Sequence, residues 1–116
     1  MDFILPVISA ILPFVIWPIE RLLPYPHLVE EISKAVFLLS ARKKVTISTA
    51  VYCGLAFALG ESVMYLMNGQ DIFLTRLVLT IPLHVLTFII LRYSLWGLPL
   101  AMAVHWAFNY AVALLY

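Results

Sequence analysis

The chain has 116 residues, of which 65% are hydrophobic and 11% charged, a net charge of +1 and a mean hydropathy of +1.06. A soluble domain of this size is about half apolar, so the composition excludes water as the solvent for most of the surface. The absence of a basic face excludes nucleic acid as a partner, and the single cysteine, Cys53, excludes an internal disulfide.

The expected fold is all-α: one domain over residues 1–116, a polytopic transmembrane bundle of about five helices with the lipid bilayer as its surroundings. The first helix, at about 2–19, is apolar with Pro6, Pro13 and Pro18 in or beside it. Prolines are tolerated in membrane helices when neighbours satisfy the freed carbonyls, so one kinked span is expected. This stretch lacks a basic leader and a small-x-small cleavage site, so it is expected to be retained. Glu20 to Pro26 turns the chain, because two prolines two apart stop one helix and start the next.

The second helix, at about 26–41, holds Glu30, Glu31 and Lys34 and should be buried by its neighbours rather than face lipid. A charge near the membrane centre costs at least ~2.5 kcal/mol on insertion scales, so three within five positions point to a polar site. Lys34 lies at i+4 from Glu30 and i+3 from Glu31 and can neutralise either one, leaving the other free. The third helix, at about 45–67, carries Gly54, Gly60 and Glu61; the two glycines, six apart, should meet different neighbours at close range. Asn68 to Asp71 reads as a turn. The fourth, at about 72–91, carries Arg76 and His84, and the fifth, at about 95–116, carries His105 and Asn109 at i, i+4.

Helix ends alternate between two sides. Arg42, Lys43, Lys44 and Arg92 fall on one, Arg21 and Arg76 on the other, which favours a cytoplasmic N-terminus and an outer C-terminus in a cell membrane. At 1.5 Å of rise per residue, Glu30, Glu31, Glu61 and Asn109 lie roughly 6–10 Å from the outer ends, with His105 one turn deeper and His84 near ~18 Å. Four helices therefore offer carboxylate, imidazole and amide groups to one layer. Read singly, each residue has a plainer explanation as interhelical glue. A lone mid-helix carboxylate such as Glu61 is harder to dismiss, since it needs a donor or a proton.

Glu30-Glu31-Ile32-Ser33-Lys34 resembles the EExxK motif of the PrsW-type intramembrane proteases, relatives of the type II CAAX endopeptidases. Phe57 to Glu61 is similar to that group's FxxxE block, His84 to its lone histidine, and His105 to Asn109 to its HxxxN motif. The four occur in order over roughly residues 27–110, each on its own helix. CAAX-type enzymes have histidine where this chain has Glu61, and members usually carry more helices.

The resemblance implies an intramembrane endopeptidase in which Glu30 activates a water, Glu31 pairs with Lys34, and His105 and Asn109 form an oxyanion site. Glu61 and His84 would position the water, or Glu61, His84 and His105 would hold a metal ion such as zinc. The HExxH spacing of zinc proteases is absent. A membrane protein or peptide is the implied substrate, and so short a chain would enclose the site alone or as a homo-oligomer. Two alternatives stay open: a non-catalytic membrane scaffold of the same fold, and a proton or ion pathway, since intramembrane Glu and His also build relays.

Overall fold

The computed structural model describes residues 3–41 and 45–115. It is all-helical, with no strand among the described residues: α1 (Ile4–Glu20), α2 (Pro26–Ser40), α3 (Ile47–Met67), α4 (Phe73–Tyr93) and α5 (Leu98–Leu115). Arg42, Lys43 and Lys44, the basic cluster behind the expected orientation, and Tyr116 lie outside the described residues.

The helix boundaries follow local chemistry. Proline opens α2, where its missing N–H costs nothing. Thr46, expected inside the third helix, is instead its N-cap: its hydroxyl oxygen accepts the Thr49 N–H at 3.1 Å. Gly69, with φ of +81°, makes the turn between α3 and α4 at the expected place. The last connection differs from expectation. α4 continues to Tyr93, Ser94 is extended, and Leu95–Gly97 form a short 3-10 turn before α5 begins at Leu98. Pro99 accounts for that start, because proline fits a first helical turn and not a helix interior.

Three helices, α3, α4 and α5, are long and apolar enough to cross a membrane. The apolar α1 has 17 residues and α2 has 15, against about 20 for a full span. Five full spans are therefore more than length and composition support.

The third helix is the hub, packed along α1 on one side and α4 on the other, while α5 rests on α4 and α2. Small residues set these seams. A Cβ on Gly54 would meet the Val85 backbone at 2.6 Å, and one on Gly60 would overlap the Ala10 carbonyl. The two glycines thus face α4 and α1 respectively, the different neighbours that their spacing implies. Ser9 donates to the Cys53 carbonyl at 2.8 Å, tying α1 to α3 beside the buried thiol.

The distribution of residue types is inverted relative to a water-soluble protein. Lys34, Glu31, His84, Thr87 and Ser62 are fully buried, while Val7, Val15, Val36, Leu74, Val78 and Leu114 are exposed.

Candidate functional site

Glu30 and Glu31, adjacent on α2, diverge around the helix and take different partners. Lys34 lies one turn on, and its ammonium donates to Glu31 Oε1 at 2.8 Å; helix spacing leaves Glu30 and Glu31 both open as its partner, and the resemblance implies Glu31. Lys34 is 0% exposed, so all three of its N–H groups need acceptors. The other two go to His84 Nδ1 and Thr87 Oγ1 on α4, each at 3.0 Å. The ammonium also sits 4.7 Å from the centre of the Phe57 ring, a cation–π contact from α3. One lysine thus ties three helices.

These contacts fix the histidine tautomers by donor inventory. An ammonium only donates, so His84 Nδ1 accepts and the ring proton sits on Nε2. That N–H meets Glu61 Oε2 at 2.8 Å. Glu61 is steadied from the other side by Arg76 Nη2 at 3.3 Å, so Arg76 is an ion-pair partner rather than the snorkelling residue that its position suggests. His105 is arranged differently. Its Nδ1 lies 2.7 Å from Glu31 Oε1, the oxygen that Lys34 also contacts, and therefore carries the proton. Its Nε2 faces Glu30 Oε2 at 3.3 Å.

The two imidazoles stand edge to face, 5.9 Å between centroids. The expected convergence of Glu30, Glu31, Glu61, His84 and His105 is therefore met. Asn109 belongs to the layer but makes no side-chain hydrogen bond among the described residues; it is exposed and lines a cavity of about 340 Å³. That cavity, between α3, α4 and α5, is also lined by Glu61, Arg76, His84 and His105. Glu30 and Glu31 lie behind it, against His105.

Among the described residues, buried potential ligand atoms form two groups within 4.8 Å of one another: Glu30, Glu61 and His84, and Glu30, Glu31 and His105. Glu30 belongs to both. The set suggested from sequence, Glu61 with both histidines, is divided between them. Glu30 Oε2 and Glu31 Oε2 are buried without hydrogen-bond partners, so each invites a proton, a donor or a cation.

Sequence reasoning missed three residues here. Glu20, at the end of α1, brings a further carboxyl group close to Glu30, with its Oε1 buried and without a hydrogen-bond partner. Flanked by Pro18 and Arg21, it reads as an ordinary helix end. Thr87 completes the Lys34 shell, and Thr80 returns its hydroxyl to the Arg76 carbonyl at 2.7 Å. Their positions at i+3 and i−4 from His84 place them on its helix face, which is the signal that was available. His27, in the first turn of α2, has its ring 6.1 Å from that of His105.

Comparison with family models, with curated proteins and with solved structures returns no match.

Proposed function

We propose that the chain is a polytopic membrane protein and an intramembrane endopeptidase of the PrsW type, hydrolysing a peptide bond of a membrane-embedded substrate. The membrane reading is supported by the inverted distribution of residues. Hydrocarbon covers the outside and charge fills the inside, which suits a lipid solvent. The observation that carries the enzymatic reading is a pair of glutamate–histidine contacts from four helices, joined by one buried lysine and bordering one cavity.

Hydrolysis needs a base for water, a donor for the oxyanion and a proton for the leaving amine. Glu30 is the base in this reading, since its Oε2 is buried and unpartnered. The donor atoms of Glu30, Glu61 and His84 lie within 4.8 Å of one another, close enough for one water to bridge Glu30 and Glu61. Glu30 takes the proton of that water as it attacks the carbonyl carbon. Glu61, held in place by the Nε2–H of His84, orients the water, while Lys34 holds the His84 tautomer. Asn109, whose amide is uncommitted, donates to the oxyanion. The proton held by Glu30 then passes to the departing nitrogen, directly or through His105. The proposed base thus remains Glu30, reached at the inner end of the cavity.

A divalent ion such as zinc fits best between Glu30, Glu31 and His105. There two carboxylate oxygens lack partners, and His105 donates Nδ1–H to a carboxylate while turning Nε2 inward. When bound, such an ion would supply Lewis-acid activation of water. His84 suits this role less, with its Nδ1 already taken by an ammonium.

The proposed orientation, N-terminus inside, opens the cavity toward the outer half of the bilayer. A cysteine introduced at Gln70 should then be labelled only from outside, and labelling from the cytoplasm would reverse it. The function is tested by incubating a panel of single-pass membrane substrates with wild type and Glu30→Gln in the same lipid. Cleavage by the wild type that disappears in Glu30→Gln, with unfolding temperature retained, supports the enzyme. Equal behaviour of the two proteins overturns it.

A further inference from the structure

Arg76 is where the cavity and the catalytic groups leave something unexplained. Its guanidinium lies over the Tyr65 ring, 3.8 Å from the centroid, and gives Nη2 to Glu61 at 3.3 Å. Its Nε–H is buried and has no partner. A buried donor left unmade costs about as much as a lost hydrogen bond, and more on a charged group. The same side chain lines the cavity that His84 and His105 also border. Glu61 engages only Nη2, and the Arg76 side chain stays 29% exposed, so that ion pair does not use up its capacity to donate.

The spacing along α4 gives the cavity a direction. Arg76, Thr80 and His84 recur every four residues, so they line one face at successive turns. The Glu61 carboxylate joins the two levels, Oε1 to Arg76 at 3.3 Å and Oε2 to His84 at 2.8 Å, so the guanidinium and imidazole nitrogens lie no more than about 8 Å apart. The lining between them is largely apolar, from Leu79, Leu83 and Phe108.

We infer that Arg76 forms a binding subsite for a carboxylate of the substrate, borne by an acidic side chain or by a chain terminus. Arginine presents a planar fork that matches the two oxygens of a carboxylate, and an apolar cavity strengthens such a charge-assisted bond. The inference rests on the peptide-hydrolase reading and adds a selection rule to it. An extended peptide advances ~3.3 Å per residue, so the reacting bond would lie about two residues from the bound carboxylate. Arg76 is in this view a specificity residue and takes no part in the bond chemistry.

The test separates binding from turnover. Purified protein in detergent is titrated calorimetrically with three acetylated apolar tetrapeptides: one with a free C-terminal carboxylate, one with a C-terminal amide, and one amidated peptide ending in glutamate. The expected result is roughly ten- to a hundredfold tighter binding of one or both acids over the amide. That preference should vanish in Arg76→Gln and be partly restored in Arg76→Lys. Which acid is preferred tells a terminus from a side chain. Equal binding of all three peptides by the wild type overturns the inference. A uniform loss for acids and amide alike in Arg76→Gln also overturns it, because it would show a purely structural role. If Arg76→Gln does not fold, Val112→Trp narrows the same cavity and should weaken acids and amide together while Arg76→Lys still lowers only the acids; failure of that pattern counts against the subsite. Acid preference without any cleavage would sink the protease reading alone, and cleavage without acid preference would sink the subsite alone.

Discussion

His84 and His105 each hold a glutamate at nearly the same distance, 2.8 and 2.7 Å, and differ in what occupies the other ring nitrogen. For His84 it is the Lys34 ammonium, which forces the ring to accept on that side and to donate to Glu61. For His105 it is the unpartnered edge of Glu30. One imidazole is committed at both nitrogens, and the other keeps an open face beside the proposed base. Two contacts that look alike as distances are therefore different as chemistry, and the difference comes from one lysine.

The strongest way to break the comparison is to remove that lysine. Lys34→Met leaves Glu31 with the His105 N–H alone and releases Nδ1 of His84. Breaking a buried pair in this way costs about 3–5 kcal/mol, expected as a large fall in unfolding temperature in detergent. Adding Glu31→Leu should recover part of the loss, since the orphaned charge is then gone too. An unchanged midpoint for Lys34→Met would mean that the ammonium does not organise the two pairs.

Asn109 sharpens the comparison next, because it stands one turn from His105 and belongs only to the open half. Asn109→Ala is expected to lower cleavage ~10²–10³-fold, the usual cost of an oxyanion donor. Stability should change by less than about 0.5 kcal/mol, as its side chain makes no bond. A stability loss with cleavage intact would assign it to packing. A smaller effect is expected from Thr87→Val, which strips one acceptor from Lys34 and should cost about 1–3 kcal/mol, read from the same unfolding curves.

The mildest test leaves the fold untouched. Nitrogen-15 spectra of the imidazoles should show the proton of His84 on Nε2 and that of His105 on Nδ1. In Lys34→Met only His84 should lose its preference. Matching tautomers in the wild type would erase the distinction between the two rings.

Much of this arrangement is legible in the sequence because polar groups are so few. A carboxylate, an imidazole or an ammonium in an apolar helix must find a partner, and only other helices supply one. That reasoning reaches a pairing of Lys34 with one of the two adjacent glutamates and the meeting of both histidines, and the glycine spacing reaches two different close neighbours, which are α4 and α1. It does not reach which nitrogen faces which oxygen, because tautomers depend on ångström placement of helices that hydropathy locates only to a few residues. Glu20 was lost for a related reason: a carboxylate at a helix end has water available, so nothing in the sequence demands that it turn inward. Thr80 and Thr87 were lost because a hydroxyl satisfies itself on its own helix as readily as on a neighbour. The start of α5 was misread since hydropathy continues through Leu95 and Trp96, while Pro99 decides where the helix begins.

Among the described residues α5 buries only Ala101 and His105. In lipid, apolar surface gives no drive for one helix to join another, so seating depends on close packing and polar contacts. The earlier helices have small-residue seams to find one another; for α5, the imidazole that completes the polar cluster is also its main fastening. The consequence is one of timing. As the chain is made, α5 emerges after the other four, and the cavity and its second histidine come into being in the same docking event. Until then Glu31 has its lysine but no imidazole, and the polar cluster is unfinished.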